Sequence, residues 1–219
     1  MVELIQGLRA GDVRANLEAV HERLERAGRA VGEVEILAAV KYLPSEELEA
    51  LAAGGITLAG ENRAQELVSK SAEHPELTWD FIGALQSRKV PVLLPHVRYI
   101  HSVASDSALR QLAKHGSAQT RILIEVNVAG DAGKSGIAPA ELPGFIERCP
   151  VTVVGLMTMP PLTTDPERSR RHFARLRELA AAHGLRELSM GTSQDYGVAA
   201  EEGATIIRLG SLLFRPGAS

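Results

Sequence analysis

Cysteine is nearly missing from this sequence: of 219 residues, Cys149 alone carries a thiol. That excludes an intramolecular disulfide and any cysteine-based metal cage. Its place beside Pro150, ahead of an apolar run, suits packing rather than chemistry. An excess of charge is missing too. The 24 basic and 27 acidic residues leave a net charge of −3, which argues against sequence-independent nucleic-acid binding and against a polybasic membrane patch. Aromatic residues make up 4% of the chain, too few for base-stacking platforms. No apolar run approaches the roughly 20 residues that span a bilayer, and the opening Met-Val-Glu-Leu reaches charge too soon for a signal-peptide core. The seven histidines show no paired ligand spacing on one helix, and no second histidine follows His21-Glu22 at the zincin distance. We therefore expect a cytoplasmic protein that takes up neither nucleic acid, membrane nor metal.

What the sequence does have is alternation. The stretch Ile36-Leu37-Ala38-Ala39-Val40 is a continuous apolar run that ends in Lys41 and is followed by Pro44 and Ser45-Glu46-Glu47-Leu48. A short apolar run bounded by turn signals reads as a strand buried on both faces, and Ser45 reads as the N-cap of the next helix. The pattern then repeats. Strands are expected at 57–59, 79–82, 98–101, 121–126, 151–156, 187–189 and 204–208, separated by helices at 45–53, 62–72, 86–94, 105–116, 139–148, 166–183 and 195–202. Residues 4–30 carry a helical stripe of Val13, Leu17, Val20, Leu24 and Ala27 ahead of the first strand. Eight strands alternating with helices predict a single (β/α)₈ TIM-type barrel with an extra N-terminal helix. No linker or repeat divides residues 1–219, so one domain is expected.

In a parallel barrel the chemistry collects at the C-terminal ends of the strands. The residues expected there are Lys41, Asn62, Gly83, Ser102, Asn127, Met157, Ser193 and Arg208. An amine half-removed from water at a strand tip is a candidate nucleophile. Gly191-Thr192-Ser193 before one helix and Arg208-Leu209-Gly210-Ser211 after the next strand offer N–H and O–H donors to an anion. Turns after strands seven and eight form the usual phosphate site of such barrels. Two other motifs fail their spacing. Asp195 stands where a nucleophile elbow needs its closing glycine, and Val128 stands where a P-loop needs its first glycine, so residues 130–135 read as a flexible loop.

Ala39-Val40-Lys41, Gly60-Glu61-Asn62-Arg63, Phe81-Ile82-Gly83, His101-Ser102-Val103, Asn127 with Lys134-Ser135-Gly136, Gly155-Leu156-Met157, Leu188-Ser189-Met190-Gly191 and Arg208-Leu209-Gly210 occur in one order. Together they resemble the pyridoxal-phosphate homeostasis proteins, single-domain relatives of the alanine racemase barrel. The likeness runs from about residue 36 to 214. Departures fall at Val40, Arg88, Asp131-Ala132, Thr192 and Arg215.

The resemblance implies pyridoxal 5′-phosphate held as a Schiff base on Lys41. It implies that Ser193, Gly210 and Ser211 hold the phosphate with Thr192 nearby, that Arg208 faces the pyridine nitrogen, and that Asn62 and Met157 line the ring pocket. A guanidinium can only donate, which favours an unprotonated ring nitrogen and a weaker electron sink. The chain stops soon after the eighth strand, where racemases continue into a domain carrying a second base. The implied role is a non-catalytic binder in pyridoxal phosphate homeostasis, a monomer serving pyridoxal-phosphate-dependent client enzymes. A racemase-like enzyme using Lys41 as its single base is the alternative, and a lysine aldolase acting on phosphorylated sugars is a third reading.

Overall fold

The computed structural model describes residues 4–216. Eight parallel strands close into a barrel in sequence order: β1 (Glu35–Ala39), β2 (Leu58–Glu61), β3 (Thr78–Phe81), β4 (Tyr99–Val103), β5 (Arg121–Glu125), β6 (Thr152–Met157), β7 (Glu187–Thr192) and β8 (Ile206–Leu209). Between them run α2 (Leu48–Ala53), α3 (Ala64–Glu73), α4 (Val90–Leu93), α5 (Asp106–His115), α6 (Leu142–Glu147), α7 (Glu167–Ala182) and α8 (Tyr196–Glu201). Closure pairs β1 with both β2 and β8, so every strand has two neighbours and its outward side chains meet helices. This is why Leu37, Ala38 and Val40 are all fully buried in one short stretch.

The extra helix, α1 (Ala10–Arg26), buries Val13, Val20 and Leu24. It packs against both α2 and α8. A Cβ on Gly54, at the end of α2, would stand 2.5 Å from Val13, and Arg23 reaches Glu201 of α8 at 3.1 Å. Among the described residues no helix follows β8. The N-terminal helix therefore fills the place in the outer ring that a helix after β8 would take.

Several boundaries differ from the sequence expectation. Residues 4–9 are not helical. Gly7 has a φ of +72°, and this arm lies along the turn after β1, with Ile5 N donating to Tyr42 O at 3.0 Å and Gly7 and Leu8 N–H groups donating to the Glu47 carboxylate at 2.7 Å. Ser45 caps nothing, because Pro44 holds the N-cap position and the Ser45 hydroxyl donates to Glu73. Asn62 precedes α3 instead of opening it, since the Glu61 carboxylate takes the N–H groups of Asn62 and Arg63. Of the expected helix 86–94 only Val90–Leu93 is α-helical, with Pro91 at its start, where the missing N–H does no harm.

The barrel interior is part apolar, part polar. Leu37, Leu58 and Ile206 pack with Ile82 and Tyr99. Gly60 is small for this reason: a Cβ there would meet the Leu37 side chain at 2.3 Å. Beside this plug, Asp80 on β3, His101 on β4, Ser189 on β7 and Arg208 on β8 are all buried and hydrogen-bonded in series. β4 and β7 are not neighbours in the sheet, so the His101–Ser189 bond crosses the lumen.

Candidate functional site

A cleft of about 680 Å³ opens over the C-terminal ends of the strands, a size that suits a small-molecule ligand. All eight residues singled out from the sequence line it: Lys41, Asn62, Met157, Thr192, Ser193, Arg208, Gly210 and Ser211. The β1–β8 register, with Ala38 opposite Leu209, sets the turn bearing Lys41 beside the turn bearing Gly210 and Ser211. Closure of the barrel thus joins an amine near the start of the chain to donors near its end.

Lys41 itself is exposed, not half-buried. β1 ends at Ala39 and the chain turns at once, so Val40 takes the buried place and Lys41 reaches over the rim, its Nζ 4.6 Å from the centroid of the Tyr42 ring. Its backbone is held by a group with no role in the sequence reading. Buried Lys70 on α3 donates to Val40 O at 3.1 Å and to Glu61 Oε2 at 2.7 Å. The other oxygen of Glu61 takes the N–H groups of Asn62 and Arg63 at 2.6 and 3.1 Å. One buried ion pair therefore locates both Lys41 and Asn62. The Asn62 side-chain oxygen is itself buried and has no protein hydrogen-bond partner, which leaves it open to a ligand or a water. Gly83 lets β3 leave the barrel past it: a Cβ there would lie 2.0 Å from Asn62 O.

Arg208 enters from β8. Its Nη1 donates to Ser189 O and Oγ at 2.7 and 2.5 Å, and its Nη2 to Thr158 O at 2.9 Å and to Met159 Sδ. Both terminal nitrogens are thus engaged, and Nε carries the N–H left for a ligand. Burial pulls the guanidinium down to about 10, with Glu125 and Asp195 pushing the other way, so it remains a cation at neutral pH. Glu125, at the end of β5, is the acidic counterpart. Burial raises its carboxyl above the usual range, against the Ser135 hydroxyl that donates to it and the charge of Arg208.

The anion-turn residues divide. Ser193 Oγ accepts from Gly210 N–H at 3.3 Å, which leaves its own O–H to donate. Thr192 lines the cleft, but its N–H and O–H both go to Asp195 Oδ1, at 2.8 and 3.1 Å. Gly191 is required here. Its φ is +91°, and a Cβ would stand 2.6 Å from that of Ala199.

Gly83 and Ser102 also line the cleft, although Ser102 lies within β4 and donates to Gly83 O. Asn127 does not: its amide closes its own loop, bonding Asp131 O and Gly130 N at 2.9 and 3.0 Å. That loop brings Lys134 and Ser135 to the cleft wall. Glu125, Lys70, Asp80 and Ser189 take their places in the site only through the fold. A signal existed for Glu125, a charge at the inward end of the apolar run Ile122-Leu123-Ile124.

The model for the alanine racemase N-terminal domain matches residues 15–216. A pyridoxal phosphate homeostasis protein of Aquifex aeolicus is 40% identical, over 90% of this chain and 93% of its own length. A protein of the same name from Pseudomonas aeruginosa is 36% identical, over 89% of this chain and 90% of its own. Among solved structures, PipY of Synechococcus elongatus PCC7942, determined with PLP bound, superposes with a TM-score of 0.78 at 31% identity, covering 93% of this chain and all of that one. With the barrel and the cleft already described, these likenesses show that the chain belongs to the pyridoxal phosphate homeostasis protein family, built on the barrel of the alanine racemase N-terminal domain.

Proposed function

We propose that the cleft binds pyridoxal 5′-phosphate, carried covalently by Lys41, and that the chain serves the homeostasis of this cofactor without robust catalysis of its own. The observation that carries the reading is the composition of one cleft: an amine at the end of β1, an inward guanidinium on β8, a buried acceptor on Asn62, and donors in the turns after β7 and β8. The names of the Aquifex and Pseudomonas relatives and the PLP bound to PipY support it.

The residues present fit the group. When bound, pyridoxal phosphate supplies an aldehyde carbon that reacts with a primary amine and a ring that withdraws electrons. Lys41 provides the amine from an exposed turn whose backbone Lys70 pins. The Ser193 hydroxyl, set by the Gly210 N–H, and the turn at Ser211 would suit the phosphate, an anion whose oxygens only accept at full ionisation. Arg208 would face the ring nitrogen with the N–H its other bonds leave over and, as a permanent donor, would leave that nitrogen unprotonated. Asn62 and the buried Met157 line the ring's place, and Thr192 acts on the turn through Asp195. A weak electron sink disfavours carbanion chemistry, which suits a carrier that releases cofactor to enzymes requiring it.

The barrel shared with the alanine racemase N-terminal domain keeps a racemase-like activity as the alternative. Incubating the protein with pyridoxal phosphate and then with alanine of either hand separates the two. A carrier takes up the cofactor with a change in its visible spectrum and leaves the amino acid's configuration intact. Racemisation at an ordinary enzymic rate, lost in Lys41→Ala, would favour the enzyme.

A further inference from the structure

We propose that Asp80, His101 and Ser189 are positioning residues for Arg208: a one-way file of hydrogen bonds through the barrel that holds the guanidinium with its Nε–H toward the cleft. The bearing of this on cofactor binding rests on the reading above.

The direction of each bond follows from the chemistry of its ends. Asp80 lies fully buried and accepts four times, from Arg98 Nε at 3.1 Å, Arg98 Nη2 at 2.7 Å, Tyr99 N at 3.0 Å and His101 Nε2 at 3.0 Å. Burial alone would push its carboxyl up, but the bonds and charges of His101 and Arg98 outweigh this and hold it below the usual carboxylate range. It is a carboxylate, so His101 Nε2 carries the proton. Burial pushes the imidazole down, and the cations Arg208 and Arg98 at either end push the same way, outweighing Asp80. The ring is therefore neutral and Nδ1 is an acceptor. The hydroxyl 2.9 Å from Nδ1 is that of Ser189, which must donate to it. Ser189 Oγ then has only lone pairs to offer Arg208 Nη1.

Every donor in this file points away from the cleft and toward Asp80. The file ends at Asp80, which Arg98 meets from the other side, donating both to it and to Glu35, the latter at 2.6 Å, on the partly exposed N-terminal end of the barrel. A neutral, polarised chain of this kind fixes the orientation of a buried guanidinium without adding a second charge beside it. Two backbone carbonyls, Ser189 O and Thr158 O, hold the fork as well, but neither carbonyl responds to a change at His101. That difference makes the file testable.

The test starts on the protein alone. In ¹⁵N-labelled protein, with the Arg208 signals identified by their loss in Arg208→Lys, the Nη1 protons, held by Ser189, should exchange slowly with water. His101 should show the neutral ring with its proton on Nε2. Ser189→Ala and His101→Leu should both speed the Arg208 exchange, while His101→Gln, which can donate to Asp80 and accept from Ser189, should largely restore it. An Nδ1–H ring, or exchange unchanged in Ser189→Ala, would overturn the proposal. If His101→Leu does not fold, Ser189→Ala and His101→Gln decide the matter alone. A second arm adds pyridoxal phosphate: Ser189→Ala should weaken its binding about tenfold, the worth of one charge-assisted hydrogen bond, with His101→Gln near wild type. Equal affinity in wild type and Ser189→Ala would count against the file. A wild-type protein that takes up no pyridoxal phosphate would instead remove the cofactor reading, and the exchange measurements would still judge the file.

Discussion

The Lys70 ammonium donates to the carbonyl of Val40 at 3.1 Å, immediately before Lys41 in the chain. Its partner Glu61 holds the turn of Asn62 with its other oxygen. Two residues of the cleft, from different strands, thereby depend on a single buried ion pair.

Removing one half of that pair leaves an uncompensated buried charge. Lys70→Met should cost about 3–5 kcal/mol of stability, as such losses do, measured by chemical denaturation. The double variant Lys70→Met with Glu61→Leu should recover much of it, because neither charge is then stranded. Affinity for pyridoxal phosphate should stay low in the double variant, since the backbones of Val40 and Asn62 have lost their anchor.

A methyl group at Gly83 would stand 2.0 Å from Asn62 O, a backbone atom that cannot swing aside. Gly83→Ala should therefore destabilise by about 1–3 kcal/mol, the usual cost of overpacking, and should weaken pyridoxal phosphate binding by displacing Asn62. Thermal unfolding and a binding titration check the two effects separately. Gly130→Ala, where the added Cβ would meet nothing within 4 Å, should leave cofactor binding unchanged even though the φ of +70° makes alanine locally strained.

The buried imidazole gives stability a definite slope. His101 is pushed below its ordinary value of 6.5 in the folded protein, so as pH falls through 6.5 the unfolded chain gains a proton that the folded chain refuses. Stability is present above 6.5 and is lost as pH falls toward the folded value. Asp80, held below 3.8, adds a further loss only once pH drops below that figure. Plots of unfolding free energy against pH should show a shallower decline just below 6.5 in His101→Gln than in wild type. His172, also pushed down by burial, contributes equally to both and cancels in the comparison.

Glu125 has the opposite sign. Burial raises its carboxyl above 4.5, so the unfolded chain ionises first and stability is lost as pH rises through the window above 4.5. Glu125→Gln should therefore gain stability relative to wild type on going from below 4.5 to neutrality. Parallel denaturation curves at the two ends of that window measure the gain.

The rim was legible because barrels put polar residues in the same place in every repeat, after an apolar run that itself marks the strand. Lys41 after Ile36–Val40 is the clearest case, whereas Asn127 after Arg121–Val126 follows the same pattern but closes its own loop instead of lining the cleft. β7 reads weakly for a physical reason: Ser189 and Gly191 face a polar lumen and a crowded turn, so the apolar run is broken where the site is built. The interior file was not legible at all. Which of Asp80, His101 and Ser189 share a lumen depends on closure, and closure joins strands far apart in the chain. Lys70 lies in the expected helix 62–72, where a lysine ordinarily faces water, and only the position of Glu61 beneath it explains its burial. The exposure of Lys41 was also beyond the sequence, since it turns on whether β1 ends at Ala39 or a residue later.

The proposed function depends first on Lys41 as the carrier of pyridoxal phosphate. The most direct measurement is to incubate the protein with the cofactor, reduce with borohydride and map the modified peptide by mass spectrometry, with Lys41→Ala alongside. A stable phosphopyridoxyl adduct should form on Lys41 and be absent from the variant. A wild-type protein without any adduct, or one modified equally at surface lysines in both proteins, would contradict it.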